Sequence, residues 1–335
     1  MPNTKVLLSV RALKKYFPIK KNHPFEKKRF LRANEDISFD VFEGETFALV
    51  GESGSGKSTL GKTIVRLYEP TAGEIYYYGN SEPVDLVKCP PKTLRKLRKD
   101  LQIIFQDPYS SLNPRMTVGQ LIAEGVATHG YYKPNTQKMR EYVLDTMKKC
   151  GLSSEMLNRY PHQFSGGQRQ RVCIARALAI KPKFVVCDEC VSALDASVQS
   201  QILNLLARLK AQEKLTYLFI THDLGVVRHI ADRVAVMYLG EIVEIGESES
   251  IFENPSHPYT IALLSAMPEI EKGAKEKIIL RGQIPNAISP PTGCKFHTRC
   301  FMAQEICKMQ APKLEKTAFG TFARCHFAGK KDEKL

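Results

Sequence analysis

Apolar positions along this chain follow two different periods. Short unbroken apolar runs occur at Thr46-Phe47-Ala48-Leu49-Val50, at 183–187 (Lys-Phe-Val-Val-Cys), at 216–220 and at 233–238. Runs of this length, bounded by glycine or charge, read as buried strands. Residues 5–17 and 36–50 also read as strands, 73–79 as a short strand between turn glycines, and 101–105 as one that stops at Gln106-Asp107-Pro108. From about residue 115 to 180 the spacing turns helical, as at Val118, Leu121, Ile122 and Val126, and a further helix is predicted over 195–213. Strands alternating with helices predict a mostly parallel α/β sheet interrupted by a helical insertion. The basic stretch 18–33, with Pro18 and Pro24, reads as an exposed excursion.

Composition narrows the class. At 335 residues, 43% of them hydrophobic and 25% charged, the chain suits a soluble globular protein of two domains, or one large domain with an extension. No apolar run approaches the roughly 18 residues that cross a bilayer, and Met1-Pro2-Asn3-Thr4-Lys5 has no signal-peptide character, so a cytoplasmic setting is expected. Nine cysteines there suggest core packing or a metal site. The net charge of +14 is compatible with nucleic acid, with anionic lipid or with neither. Its densest runs, Lys20-Lys21, Lys27-Lys28-Arg29 and Lys92 to Lys99, read as solvated faces. With no arginine-rich repeat or RNA-binding aromatic signature, no nucleic-acid partner is expected.

The chemistry begins where the strand 46–50 ends. Gly51-Glu52-Ser53-Gly54-Ser55-Gly56-Lys57-Ser58 followed by helix-forming Thr59 to Val65 is a P-loop. Gly51, Gly54 and Gly56 let the backbone curl so that its N–H groups, with Ser53, Ser55 and Thr59, cradle phosphates. Lys57 reaches the β/γ-phosphates, and the Ser58 hydroxyl is placed to ligate Mg²⁺. Phe184 to Glu189 is an apolar strand ending in two acids: Asp188 to hold Mg²⁺, directly or through water, and Glu189 to polarise the attacking water. Ser165-Gly166-Gly167-Gln168, opening a helix predicted over 168–179, supplies a hydroxyl and N–H groups for a second anion site.

Phe164 to Gln168 closely resembles the LSGGQ signature of ATP-binding cassette (ABC) ATPases, with Phe164 where leucine is common. The resemblance implies ATP sandwiched between the P-loop of one subunit and the signature of another. It also implies Gln106 as the Q-loop residue touching Mg²⁺ or water, Asp195 of Ser192-Ala193-Leu194-Asp195 as the D-loop aspartate, and His222 as the switch histidine at the γ-phosphate. Phe17, or alternatively Tyr16, matches the aromatic that stacks on adenine. Cys190 stands where the family usually has proline after the catalytic glutamate. The implied fold is an α/β P-loop NTPase: an ABC nucleotide-binding domain over 1–265, its helical subdomain at about 107–172, and a small cysteine-rich extension over 266–335.

The stretch Asn254 to Thr260 and the cysteine tail resemble one subfamily, the ATPase subunits of oligopeptide and dipeptide importers, closest to their F-type subunit over about residues 6 to 327. Some relatives import nickel or other solutes. Cys294, Cys300, Cys307 and Cys325, spaced C-x5-C-x6-C-x17-C, are soft donors suited to an iron–sulfur cluster or zinc. The resemblance implies a 4Fe–4S cluster with a structural role, with zinc or unligated thiols as the alternatives. Three of the five remaining cysteines lie in apolar stretches and read as core. Implied partners are a second, non-identical ATPase, two transmembrane permease subunits and an extracytoplasmic solute-binding protein, at the cytoplasmic face of the membrane. The competing reading is a soluble ABC-type ATPase acting on nucleic acid or ribosomes; it lacks the paired cassettes or long coiled coils typical of such relatives.

Overall fold

A computed structural model describes residues 5–20, 25, 28–267 and 278–329. Residues 1–4, Lys21, Pro24 and Lys27, which entered the readings above, lie outside the described residues, as do parts of the expected extension (268–277 and 330–335). Packing divides the chain into two units: Met1–Leu8, Val41–Glu45 and Tyr77–Phe219 form one, and Ser9–Asp40, Thr46–Tyr76 and Ile220–Leu335 the other.

In the first unit, strand Leu101–Ile104 runs parallel to Phe184–Asp188, with Leu101 opposite Phe184 and Ile104 opposite Cys187. Strand Thr216–Ile220 lies on the other side of Phe184–Asp188. Every residue of those two strands is buried. Both faces are therefore covered, and the sequence shows continuous apolar runs instead of alternation. The helical insertion is built from Val118–Thr128, Gln137–Lys149 and Gly166–Leu178. Val118, Leu121, Ile122 and Val126 form the buried stripe, and Thr117 with Gln120 closes a capping box at its start. Helix Ala196–Glu213 follows. The basic run near 92–99 lies on helix Pro91–Leu97, where Leu94 and Leu97 are buried and the charged side chains face outward, as a solvated face should. Four, rather than three, of the isolated cysteines are core: Cys150, Cys173, Cys187 and Cys190. Burial pushes the Cys150 thiol up to about 12 and that of Cys173 to about 11, which makes them inert packing groups.

The strand predicted over 36–50 is two strands, Phe30–Phe42 and Thr46–Val50, most of whose residues belong to the second unit. The chain turns between them at Gly44, whose φ of 77° permits the reversal. Phe30–Phe42, Val6–Pro18 and Ala72–Tyr77 lie side by side in one sheet. In the other, Thr46–Val50 is parallel to Arg233–Tyr238, and that strand is antiparallel to Glu241–Glu247, an element the apolar pattern did not single out. Phe322–Ala323 adds antiparallel to Glu241–Glu247. Tyr238, Tyr259 and Phe296 stack against one another with ring centroids 4.8, 5.1 and 5.3 Å apart, joining residues on both sides of position 265 in one core. Among the described residues no helix is long and apolar enough to cross a membrane.

A bulge between Ile242 and Glu244 lets Glu244 point inward. Its buried carboxylate accepts the Ser256 N–H at 2.8 Å, the His257 N–H at 2.9 Å and the Thr321 hydroxyl at 3.3 Å. Burial still raises its pKa. His257, also buried, accepts the Tyr259 N–H on Nδ1 at 3.1 Å and so caps helix Pro258–Ser265. Desolvation pushes the His257 pKa down to about 3, with the Arg324 charge acting in the same direction. Between pH 6.5 and 3 the unfolded chain therefore binds a proton at His257 that the folded chain does not, and stability falls as pH falls. Glu244, with its raised pKa, acts in the opposite sense. Comparison with His257→Asn, which keeps an acceptor at the cap, isolates the histidine. Urea unfolding at a series of pH values should show the wild type losing up to roughly 1.4 kcal/mol per pH unit more than the variant across that window. Equal slopes would mean His257 is charged in the folded protein.

Candidate active site

The second unit holds the P-loop, and its geometry follows from where its backbone groups find partners. Gly51, Gly54 and Gly56 all have positive φ. At two of them no other residue fits: a Cβ on Gly51 would sit 2.2 Å from the Met237 carbonyl, and one on Gly56 2.2 Å from that of Ala33. Four carbonyls of the loop are met by donors. Lys57 Nζ donates to Gly51 O at 2.7 Å and Glu52 O at 2.9 Å; Gly240 N–H donates to Ser55 O at 3.0 Å; Asn34 Nδ2 donates to Gly56 O at 3.1 Å. Lys57 opens helix Lys57–Ile64 and is 3% exposed, so its ammonium is held within the loop whose phosphates it would meet. Ser58 and Thr59 occupy the first turn, and Ser53 lies on the exposed side of the loop.

Two more predicted residues belong to this unit. Thr221 N–H donates to Leu49 O at 3.2 Å, aligning the segment beyond strand Thr216–Ile220 with the P-loop strand; exposed His222 comes next, and Asp223 caps helix Leu224–Ile230. Phe17 is half-buried, edge-on to Tyr68 at 5.4 Å, with Lys15 Nζ 4.7 Å from its ring. The Tyr16 hydroxyl donates to Glu35.

The first unit brings together Gln106 and Glu189: the Gln106 amide donates to Glu189 Oε2 at 2.8 Å. Asp188 ends its strand 3% exposed. Glu189 adopts a φ of 48°, a conformation non-glycine residues seldom hold, and its carbonyl accepts both the Ser192 N–H and the Ser192 hydroxyl. Cys190 turns inward to Cys187, and that contact, ahead of burial, raises the Cys187 thiol.

The signature helix begins at Gly166, two residues before the predicted start, because Ser165 caps it. Ser165 Oγ accepts Gln168 N–H at 3.3 Å, and Gln168 Oε1 accepts Ser165 N–H at 3.1 Å. Ser165 and Gly166 are exposed, whereas Gly167 is buried where a Cβ would sit 2.4 Å from Val198. Phe164 is 5% exposed, filling an apolar site as leucine would. Asp195 caps helix Ala196–Glu213, accepting Val198 N–H at 3.0 Å and the Ser197 hydroxyl at 2.8 Å, and the Val198 bond leads in lowering its pKa.

Among the described residues none of the nine cysteines is in a disulfide. Burial raises the thiols of Cys294 to about 11 and Cys300 to about 12, and that of Cys325 upward; the neighbouring cysteines reinforce each shift. The Cys294 N–H donates to Cys307 O at 2.8 Å, which sets those two residues side by side. Yet among the described residues no group of three or more His, Cys, Asp or Glu side chains is set to hold a metal ion. The motif reading overlooked Asn34 and Gly240. Asn34 carries no local signal, while Gly240 is marked only as a turn glycine between two apolar strands.

Residues 34–192 match the ABC transporter family model, and residues 243–307 match the model described as oligopeptide/dipeptide transporter, C-terminal region. The oligopeptide transport ATP-binding protein AppF of Bacillus subtilis is 46% identical, over 97% of this chain and 98% of its own. The dipeptide transport ATP-binding protein DppF of Haemophilus influenzae is 48% identical, over 95% and 96%. Among solved structures, the ATP-binding cassette MJ0796 in a dimeric post-hydrolysis state bound to ADP and Pi superimposes with a TM-score of 0.63 at 28% identity, covering 72% of this chain and 99% of that one. An intact P-loop, an acidic strand end and a capped signature helix, in a chain similar to these proteins across nearly its whole length, make it a member of the ABC transporter ATP-binding family, in the branch that carries the oligopeptide/dipeptide transporter C-terminal region.

Proposed function

We propose that this chain is the ATP-hydrolysing, energy-coupling subunit of an importer for dipeptides or oligopeptides, working at the cytoplasmic face of the membrane. The observation that carries this reading is the near full-length similarity to oligopeptide and dipeptide transport ATP-binding proteins, C-terminal region included. The division proposed is a nucleotide-binding domain over 1–265, with the helical part at about 107–172 as the docking surface for membrane subunits, and an extension over 266–335.

In the proposed mechanism Phe17 stacks on adenine, and the N–H groups of residues 51–59 with Lys57 hold the triphosphate. Mg²⁺ suits the hydroxyl and carboxylate donors of Ser58 and Asp188, with Gln106 as a further oxygen ligand, and would supply charge neutralisation at the β- and γ-phosphates. Glu189 orients and deprotonates the attacking water; Gln106, bonded to it here, fixes its direction. His222 contacts the γ-phosphate. Ser165, Gly166, Gly167 and Gln168 would close over the ATP held by a second ATPase subunit, with Asp195 beside them; the dimeric state of the MJ0796 cassette supports that arrangement. Glu189→Gln should retain ATP binding, lower hydrolysis by about 100-fold or more and trap a closed dimer. Full turnover in that variant would remove Glu189 from the role of general base.

The tail cysteines are proposed to hold a 4Fe–4S cluster, or zinc in its place. The chemistry of four soft donors supports this. Such a group would brace a segment with little apolar material. Cys300→Ala should bleach the visible absorbance of anaerobically purified protein and remove about four iron atoms per chain by metal analysis. Zinc without colour would assign the site to zinc, and neither metal would leave the thiols as packing groups.

Affinity purification from detergent-solubilised native membranes tests the whole reading. The expected result is co-purification of two multi-span proteins and a second ABC ATPase. Ribosomes or nucleic acid released by rising salt would replace the importer reading.

A further inference from the structure

Residue 52 of the P-loop is a glutamate, an unfavourable neighbour for a triphosphate carrying several negative charges. The structure shows how that charge is met. Arg299 clamps Glu52 through two parallel bonds, Nη1 to Oε2 at 2.7 Å and Nη2 to Oε1 at 3.1 Å. The arginine side chain is 6% exposed and the glutamate 29%, so solvent screens the pair only in part. Residue 52 is held at its backbone as well: its N–H donates to the Tyr259 hydroxyl at 2.9 Å, and its carbonyl accepts Lys57.

Arg299 is itself fixed from the core. Its N–H donates to Phe296 O at 3.0 Å, and Phe296 is 1% exposed among Tyr238, Tyr259 and His257. The same segment steadies the far end of the loop. Lys295 pairs with Glu241 at 3.0 Å and donates to Leu239 O, pinning the turn whose Gly240 N–H meets Ser55 O. The stretch 295–299 thus meets the P-loop directly at residue 52 and holds the turn that meets it at residue 55.

We infer that Arg299 is a positioning residue for nucleotide binding that acts through Glu52: its guanidinium neutralises that carboxylate, so that the C-terminal extension tunes the affinity of the P-loop for ATP. This rests on the P-loop being the triphosphate site.

Binding of a fluorescent non-hydrolysable ATP analogue with Mg²⁺ to the full chain, read beside the unfolding temperature of the nucleotide-free protein, tests it through a double-mutant cycle. Arg299→Gln should weaken binding about tenfold, the scale of one uncompensated charge in a partly screened site. Glu52→Gln in the same chain should restore affinity to within about twofold of the wild type, because the charge that needed neutralising is gone. Glu52→Gln alone, which leaves the guanidinium unpaired beside the phosphates, should bind about threefold more tightly. That arm decides the matter if Arg299→Gln does not fold: unchanged or weaker binding overturns the inference. Wild-type affinity in Arg299→Gln, whatever its unfolding temperature, makes the pair a fold staple and overturns it as well. So does a double variant as weak as the single one. Lys57→Ala separates the underlying reading: if it binds like the wild type, the P-loop is not the triphosphate site and both conclusions fall.

Discussion

A loop that turns its N–H groups inward to face an anion must turn carbonyls outward, and every outward carbonyl needs a donor. The structure around residues 51–56 is arranged by that constraint. Lys57 serves Gly51 and Glu52, the Gly240 turn serves Ser55, and Asn34 serves Gly56. Those donors come from three separate parts of the chain, so the cradle exists only once the strands that carry them have paired. The parallel pairing of Thr46–Val50 with Arg233–Tyr238 brings the Gly240 turn to the loop. Ala33 is pressed so closely on Gly56 that only glycine fits between them.

Glu189, the proposed general base, is held by a different device. Glu189 sits at a left-handed φ with its carbonyl bound twice by Ser192 and its carboxylate bound by Gln106. Strain of this kind persists only where neighbours over-determine it. Cys190, in the place usually taken by proline, lacks the ring that would stiffen the turn, but its thiol is buried against Cys187. Side-chain burial thus anchors the turn immediately after the acid.

Much of this was legible locally. Strands 216–220 and 233–238 fall where their apolar runs end, and helix Ala196–Glu213 starts one residue after its predicted limit. Each is specified by neighbours in sequence. Two errors had readable causes: Gly44 between two glutamates marks the turn that splits 36–50, and Ser165 with Gln168 is a capping box that sets the signature helix at Gly166. The strand Glu241–Glu247 was hidden because its bulge breaks the period and sends a glutamate inward. The Glu52–Arg299 pair was unreadable for another reason. Its partners lie 247 positions apart, and nothing in the local pattern of either encodes the other.

Composition and packing also divide the chain differently. The resemblance implies an extension that begins at residue 266, yet Tyr238, Tyr259 and Phe296 share one aromatic cluster across that boundary. Cys294 and Cys300 pack against the core that contains Val50, the last residue before the P-loop. A segment of low apolar content is ordinarily easy to lose by local opening. Here its few apolar anchors are placed in the core that contains Val50, and Arg299 reaches Glu52 of the P-loop. The order of the P-loop and the order of the extension are therefore linked: a change that loosens residues 295–299 removes the counter-charge at Glu52 and the Lys295 contacts that hold the turn whose Gly240 N–H meets Ser55 O.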